Sequence, residues 1–517
     1  MAEDRLKLNS NALTNQVIVY AGCLLIGASV ALAQAVTSQF YDSNTTGLSG
    51  KETILTPAKV KSAKFGLTCR ADPGDAAAIY AQPLYLPHLT ISGAAHDTGF
   101  AVTMGNTAFA FDANNCRVLW RTHLGPTWPD PMFFTANLYH GQIGSLSTPV
   151  IDRRNGWMFI VSVDRDPKYT IRKLSITTGA VLSSRVISAS VPGTGTSGDH
   201  TSSQSLLFTA RWHVQREGLV IGNGNVYVAF SQAGIVNVPW HGWIMSYDEA
   251  GLTQQHVLCV TPTGRGGGLW GGAPSMDANG NLYLITGDGT YDGMSNLGNS
   301  FIKVGPNLSI TDWFTPYNYA AISSADQDIA SNRALLIPRT AYLVSVSKDF
   351  VLRLIDSLHM QRLQPAAGAN LRQSFSINPA GKATVTSGSY GAVFMNNSLY
   401  VPTTNGPIYR CVWNPAAELF TIPCVAGTAT FSYPGAAISG SCNNASNCIL
   451  WAVTVSSSAL FTARRATLRA LNPSDLSEYW SDREVGDMSK FATPTVAGGK
   501  VMVSTQNGYV AVYGLRK

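Results

Sequence analysis

The sequence predicts an all-β chain folded as an eight-bladed β-propeller, with seven blades as the alternative. Each blade has four antiparallel strands, and strands from both ends of the chain close the ring. Three observations carry this expectation: a charge-poor composition rich in turn formers, an eleven-residue motif that recurs along the chain, and a final unit that lacks its last strand.

The 517 residues are 45% hydrophobic and only 13% charged, against about 25% charged in an average soluble domain. Gly 48 and Pro 25 accompany abundant Ser, Thr, Val and Tyr, and no long window has helical periodicity. That mixture favours many short strands joined by turns. The net charge of +6 comes from scattered Lys and Arg, without the clustered cations that phosphate contacts need, so nucleic acid is not an expected partner.

The recurring motif is "AFDANNCRVLW" at residue 110 and "ALNPSDLSEYW" at 470. Weaker copies start at 173, 246, 302, 354 and 410, so six intervals cover 360 residues with a mean of 60. A fixed period of this size marks a repeat architecture, in which one unit cannot bury its apolar face alone. Each unit opens with a small-Pro strand ("STPVI", "GGAPSM", "FATPTV"), then a turn and a second strand ("VYVAF", "LYLIT", "VMVST"). The eleven-mer is the third strand, a tight turn and the start of the fourth. Asp, Asn and Gly in that turn accept the backbone geometry of a short connection. The aromatics Trp120, Phe420 and Trp480 are expected to cover the next sheet.

The last unit, "FATPTVAGGKVMVSTQNGYVAVYGL", supplies three strands. Its fourth is expected from "AKFGLTCRA" at residues 63–71, because closure by both ends removes the exposed sheet edges.

Residues 17–36, "VIVYAGCLLIGASVALAQAV", are charge-free and apolar and end in small-x-small triplets. They read as a signal peptide over 1–35, with an uncleaved membrane anchor as the alternative. Residues 36–60 read as a linker and 61–517 as a single propeller domain. Export suits the cysteines: Cys442 with Cys448 and Cys411 with Cys424 are spaced to pair in an oxidising compartment. Cys69, Cys116 and Cys259 are left without an assigned partner. Asn44, Asn307, Asn396 and Asn444 head sequons for glycosylation in a eukaryotic secretory route. The expected location is secreted or periplasmic.

In a propeller, first-to-second and third-to-fourth turns share one face, and these are tight here. Second-to-third and blade-to-blade connections share the other, and residues 121–147, 184–216, 231–242, 257–271, 287–300 and 364–388 are expected there. Long connections without structure of their own are usually functional. The candidate ligand-binding residues on that face are Arg211, Trp212, His213, Trp240, His241, Arg265 and Trp270. Arg216, Trp243, Asp199 and His200 stand beside them. Aromatic faces with a few cations suit a flat aromatic, a sugar or a quinone-like ring. Asp288, Asp292 and Asn296 share one loop, but their spacing is not that of a calcium loop. No P-loop, no Gly-x-Ser-x-Gly elbow, no zinc spacing and no haem-attachment motif occurs.

The motif resembles the blade signature of the pyrroloquinoline-quinone-type propeller repeat family, Ala-x-Asp-x-x-Thr-Gly-x-x-x-Trp. "AFDANNCRVLW" keeps the Ala, Asp and Trp but not the Thr-Gly, whereas "KLSITTGAVLS" keeps Thr178-Gly179 but not the Trp. The likeness covers residues 60–517 and is greatest to uncharacterised secreted members. It implies the propeller fold. In the dehydrogenase branch it implies a quinone against an adjacent Cys-Cys disulfide, with calcium held by Glu and Asn and a catalytic Asp nearby. This chain has no Cys-Cys pair, and no catalytic residue carries over by motif. The expectation is an exported quinoprotein-like propeller binding a small molecule or protein partner at its loop-rich face, with no cofactor identified. The alternatives are a divergent quinone-dependent oxidoreductase (or a metal-free propeller enzyme) and an envelope assembly scaffold.

Overall fold

The small-Pro segments become the innermost strands of eight four-stranded sheets in a computed structural model of the chain. The structure describes residues 34–129, 142–195, 200–202, 204–232, 240–378, 388–456 and 464–516. The expected signal segment, up to residue 33, lies outside them. No helix among the described residues is long and apolar enough to cross a membrane.

Blade 1 runs Leu84–Ile91, Ala94–Val102, Thr107–Asp112 and Val118–His123, paired in that order. The innermost strands of blades 2 to 7 begin at Val150, Val220, Ser275, Leu335, Val393 and Ala437. Each third strand coincides with the start of an eleven-mer, as at Tyr169–Ser175, Trp243–Asp248 and Ala466–Leu471. Blade 8 takes Thr495–Ala497, Lys500–Ser504 and Val510–Leu515 from the C-terminal end. Its outer strand is Phe65–Ala71, antiparallel to Val510–Leu515 as expected. A small sheet of Ser190–Pro192, His200–Ser202 and Ser205–Leu207 decorates the connection from blade 2 to blade 3.

The core is the set of seams between blades. Phe109 and Phe111 of blade 1 share one apolar cluster with Met158 and Ile160 of blade 2 and with Met502 and Val512 of blade 8. Similar clusters join every later pair round the ring. Trp480 lies across the seam as expected, edge-on to Phe65 at 4.7 Å between centroids. Phe420 does not cover the next sheet. It packs on Trp413 of its own blade, centroids 5.1 Å apart, within the cluster that faces blade 5.

Three disulfides form: the two expected pairs, Cys411–Cys424 and Cys442–Cys448, and Cys69–Cys116. The third staples the closing N-terminal strand to the turn of blade 1. Cys259 is free and buried.

Residues 36–52, expected as a linker, do more than connect. They run round the inside of the ring and meet the blades in order. Val36 exchanges backbone bonds with Tyr85 of blade 1, and the carbonyls of Thr37, Ser43, Asn44, Thr46 and Gly47 accept from Ile151, Met276, Leu336, Phe394 and Gly440. The Gln39 side chain accepts from Gly218 and Ala273, at the entries to blades 3 and 4. Leu48–Ser49 adds a short parallel strand inside blade 7, and Glu52 accepts from Gly499 of blade 8 at 3.0 Å. Innermost strands present unpaired edge N–H groups to the channel, and such groups must find acceptors when buried. Arg333, 3% exposed, anchors the segment: it donates to the Thr45 carbonyl through Nε and Nη2 and stacks 3.5 Å over the Phe40 ring.

The segment divides the channel. Gln39 and Phe40 floor a cavity on the long-connection side, and Thr37, Asp42 and Ser43 roof another beside the tight turn at Asp152–Arg153. Within the stretch 364–388, residues 364–372 belong to the opposite face. They continue the third-to-fourth connection of blade 5, which adds Arg362–Leu363 as a parallel strand beside Phe314–Thr315 of blade 4.

Candidate functional site

The last residues before each inner strand turn toward the axis. Tyr80 precedes blade 1, Arg216 lies at the entry to blade 3, Trp270 precedes blade 4, Tyr390 precedes blade 6, and Lys490 and Phe491 precede blade 8. All of them line one cavity over the Gln39–Phe40 floor.

Its chemistry is aromatic and cationic. The Phe491 ring is stacked by Tyr390, with centroids 4.4 Å apart, by the Arg216 guanidinium at 4.3 Å and by Lys490 Nζ at 4.6 Å. Arg216 also lies 5.7 Å from the Trp270 ring, and Trp270 and Tyr390 face each other at 6.1 Å. Cations over ring faces are held by the ring quadrupole without losing their charge to a carboxylate. Among the described residues neither Arg216 nor Lys490 takes part in an ion pair.

Behind Trp270 sits an acidic group. Oxygens of Asp288, Asp326 and Asp328 lie within 4.8 Å of one another. Lys348 donates to Asp326 at 3.0 Å and to Asp328 at 2.9 Å, and its Nζ is 5.6 Å from the Trp270 ring. Burial works against the Lys348 charge, but Asp328, Tyr390 and Asp326 together outweigh it and hold the ammonium protonated above its usual range. Asp288 is pushed up to about 8, first by burial and then by the charge of Asp328. Gly287 allows this closeness: a Cβ there would lie 2.7 Å from Asp328 Oδ1 and 3.3 Å from Trp270 Nε1.

Of the residues singled out by sequence, Trp270 and Arg216 line the cavity. The others do not join them. His213 is buried, and its Nδ1 meets the Thr209 carbonyl at 2.7 Å while Nε2 accepts the His241 N–H at 3.1 Å. That pattern requires the neutral ring with its proton on Nδ1, and burial lowers its pKa to about 3. His241 is buried against Thr261, and Trp243 lies wholly in the core. Arg211 stacks on Trp212 at 5.1 Å, away from the cavity lining. Arg265 is exposed, and its backbone amide donates to the Thr290 hydroxyl. The half-buried Trp240 ring packs beside Gly268. Asp199 and the His200 side chain lie outside the described residues. Asp292 caps its own turn. Burial opposes its charge, but the Asn296 and Met294 amides dominate and hold the carboxyl at about 2.

Tyr390, Lys490, Phe491 and the Asp326–Asp328–Lys348 group were not picked out from sequence. The available signal was positional: residues a few places upstream of an inner strand face the axis.

No protein-family model and no curated protein matches the chain. Solved structures do match. A quinohemoprotein alcohol dehydrogenase from Pseudomonas putida aligns over 93% of this chain and 80% of its own, with TM-score 0.62 and 12% identity. One from Comamonas testosteroni aligns over 94% and 81%, with TM-score 0.60 and 11% identity. A europium-containing methanol dehydrogenase aligns over 93% and 98%, with TM-score 0.60 and 12% identity. At this identity the likeness establishes a quinoprotein-like eight-bladed propeller fold.

Proposed function

We propose that this chain is an exported quinoprotein-like propeller whose channel-mouth cavity binds a flat aromatic small molecule bearing a carboxylate. The observation that carries the reading is the Arg216 guanidinium, which among the described residues takes part in no ion pair, stacked between Trp270 and Phe491 with Tyr390 round one cavity. Rings recognise a flat ring, and a guanidinium recognises a carboxylate in two parallel hydrogen bonds. Three disulfides support an extracytoplasmic location. The test is titration with quinoline-2,4-dicarboxylate followed by tryptophan fluorescence. Quenching that weakens with salt and is lost in Arg216→Gln supports the reading, and no saturable signal overturns it.

The Asp288–Asp326–Asp328 group favours a second reading, a divergent quinone-dependent oxidoreductase like the proteins it resembles in fold. The donor set fits in part. Three carboxylates offer hard oxygens of the kind calcium takes, beside an indole able to stack on a quinone, but Lys348 already neutralises two of them and no adjacent cysteines exist. A bound quinone would supply a two-electron acceptor. In such a site Trp270 would support the ring, Arg216 would hold a carboxylate, and Asp288 would hold a proton. Reconstitution with the quinone and calcium tests it: a new visible band with bound calcium supports the reading, and a flat spectrum dismisses it.

A further inference from the structure

Lys490 is placed unlike any other described lysine. Its stem precedes blade 8, its Nζ donates to the Tyr433 hydroxyl, and it lies 4.7 Å over the Tyr433 ring and 4.6 Å over Phe491. The titratable and charged groups that face it are Arg216 from the entry to blade 3, Lys348 from blade 5, Tyr390 from the entry to blade 6 and Tyr433 from the entry to blade 7. None of these is a carboxylate. Lys348 is committed to Asp326 and Asp328, so the acidic group compensates Lys348 and not Lys490.

We infer that Lys490 is a reactive amine site that captures carbonyl compounds of the aryl-aldehyde class as an imine inside the channel-mouth cavity.

The chemistry follows from the placement. A lysine is nucleophilic only as the neutral amine, and desolvation beside other cations produces that form. Burial, then Arg216, then Lys348 hold the Lys490 pKa well below its ordinary value. The nitrogen lone pair adds to the carbonyl carbon, the carbonyl oxygen leaves as water, and a C=N bond replaces C=O with no change of oxidation state. The Tyr433 hydroxyl is placed at the amine to give or take the proton that moves between nitrogen and oxygen. Rings of Trp270, Tyr390 and Phe491 line the space in which an aryl group would rest.

The inference rests on the cavity being a ligand site, and its test separates the two. The full protein is treated at pH 7 with benzaldehyde and cyanoborohydride, which traps an imine as a stable secondary amine, and labelled lysines are mapped by mass spectrometry. Lys490 is expected to be labelled more than about tenfold faster than any other lysine, since an ordinary lysine is almost wholly protonated at this pH. Quinoline-2,4-dicarboxylate should suppress that labelling, Lys490→Arg should abolish the fast site, and Tyr433→Phe should slow it. Should the dicarboxylate still quench Trp270 fluorescence while benzaldehyde modifies Lys490 no faster than surface lysines, the amine site is overturned and the cavity reading stands. If labelling at Lys490 is fast but the dicarboxylate neither quenches nor protects, the amine site stands and the anion reading falls.

Discussion

The indole Nε1 of Trp120 in blade 1 donates to the carbonyl of Ile176 in blade 2 at 2.9 Å. Its ring lies against Gly179, where a Cβ would come within 2.4 Å of it, and Gly179 itself has φ +70°. This one contact unites the two halves of the blade signature. The first eleven-mer keeps the tryptophan and the second keeps the Thr-Gly, because the tryptophan of one blade docks on the turn of the next.

Trp120→Phe keeps the packing but leaves a buried carbonyl without its donor, at a cost of about 1–3 kcal/mol. Trp120→Ala also opens a cavity, and the cost rises to about 3–5 kcal/mol. Denaturant midpoints of the two variants should fall in that order, and equal midpoints would show that the hydrogen bond contributes nothing across this seam.

Arg333 holds the inner segment through the Thr45 carbonyl and through the Ala392 carbonyl of the connection to blade 6. Arg333→Met removes those donors while keeping the bulk over Phe40. Hydrogen exchange at Ser43–Gly47 should accelerate by at least about tenfold, with the outer strands unchanged. Uniform acceleration over all blades would mean that Arg333 stabilises the ring and not the segment.

Cys69–Cys116 joins positions separated by 47 residues. Chain-entropy reasoning gives such a link about 4 kcal/mol of stabilisation. With both cysteines replaced by serine, the Phe65–Ala71 strand should become the first to exchange and the first cut by protease. Protection there equal to that of Thr107–Asp112 would count against a closing role.

His213 supplies a pH dependence whose sign is fixed. Its folded pKa, near 3, lies below the ordinary value of 6.5. Between those values the unfolded chain binds the extra proton, so the stability present above pH 6.5 is lost as the pH falls toward 3. The slope approaches about 1.4 kcal/mol per pH unit. Unfolding midpoints from pH 7 to 4 should be flatter for His213→Asn than for the parent chain, and parallel curves would refute the assignment.

The ring was legible because its signals repeat. The period of 60, the small-Pro strands and the orphan strand at residues 63–71 each state the same geometry at several positions. The cavity was not legible, because the residues that face the axis are all different: Tyr80, Arg216, Trp270, Tyr390 and Lys490 share a position in the blade and nothing else. Only closing the ring brings them together. His213, His241 and Trp243 are buried away from the cavity, and polar-aromatic character in a long connection looks the same in sequence whether it faces a ligand or fills a seam. Residues 36–52 read as a linker because most of their bonds to the blades are made by backbone carbonyls, which leave no trace in residue type.

That inner segment works as a hoop does on the staves of a cask. It is made before any blade, yet its Glu52 finds its Gly499 donor only when the last blade is in place. Damage to one stave therefore loosens the band that grips all the others, and unfolding should spread through the hoop as well as through neighbouring sheets.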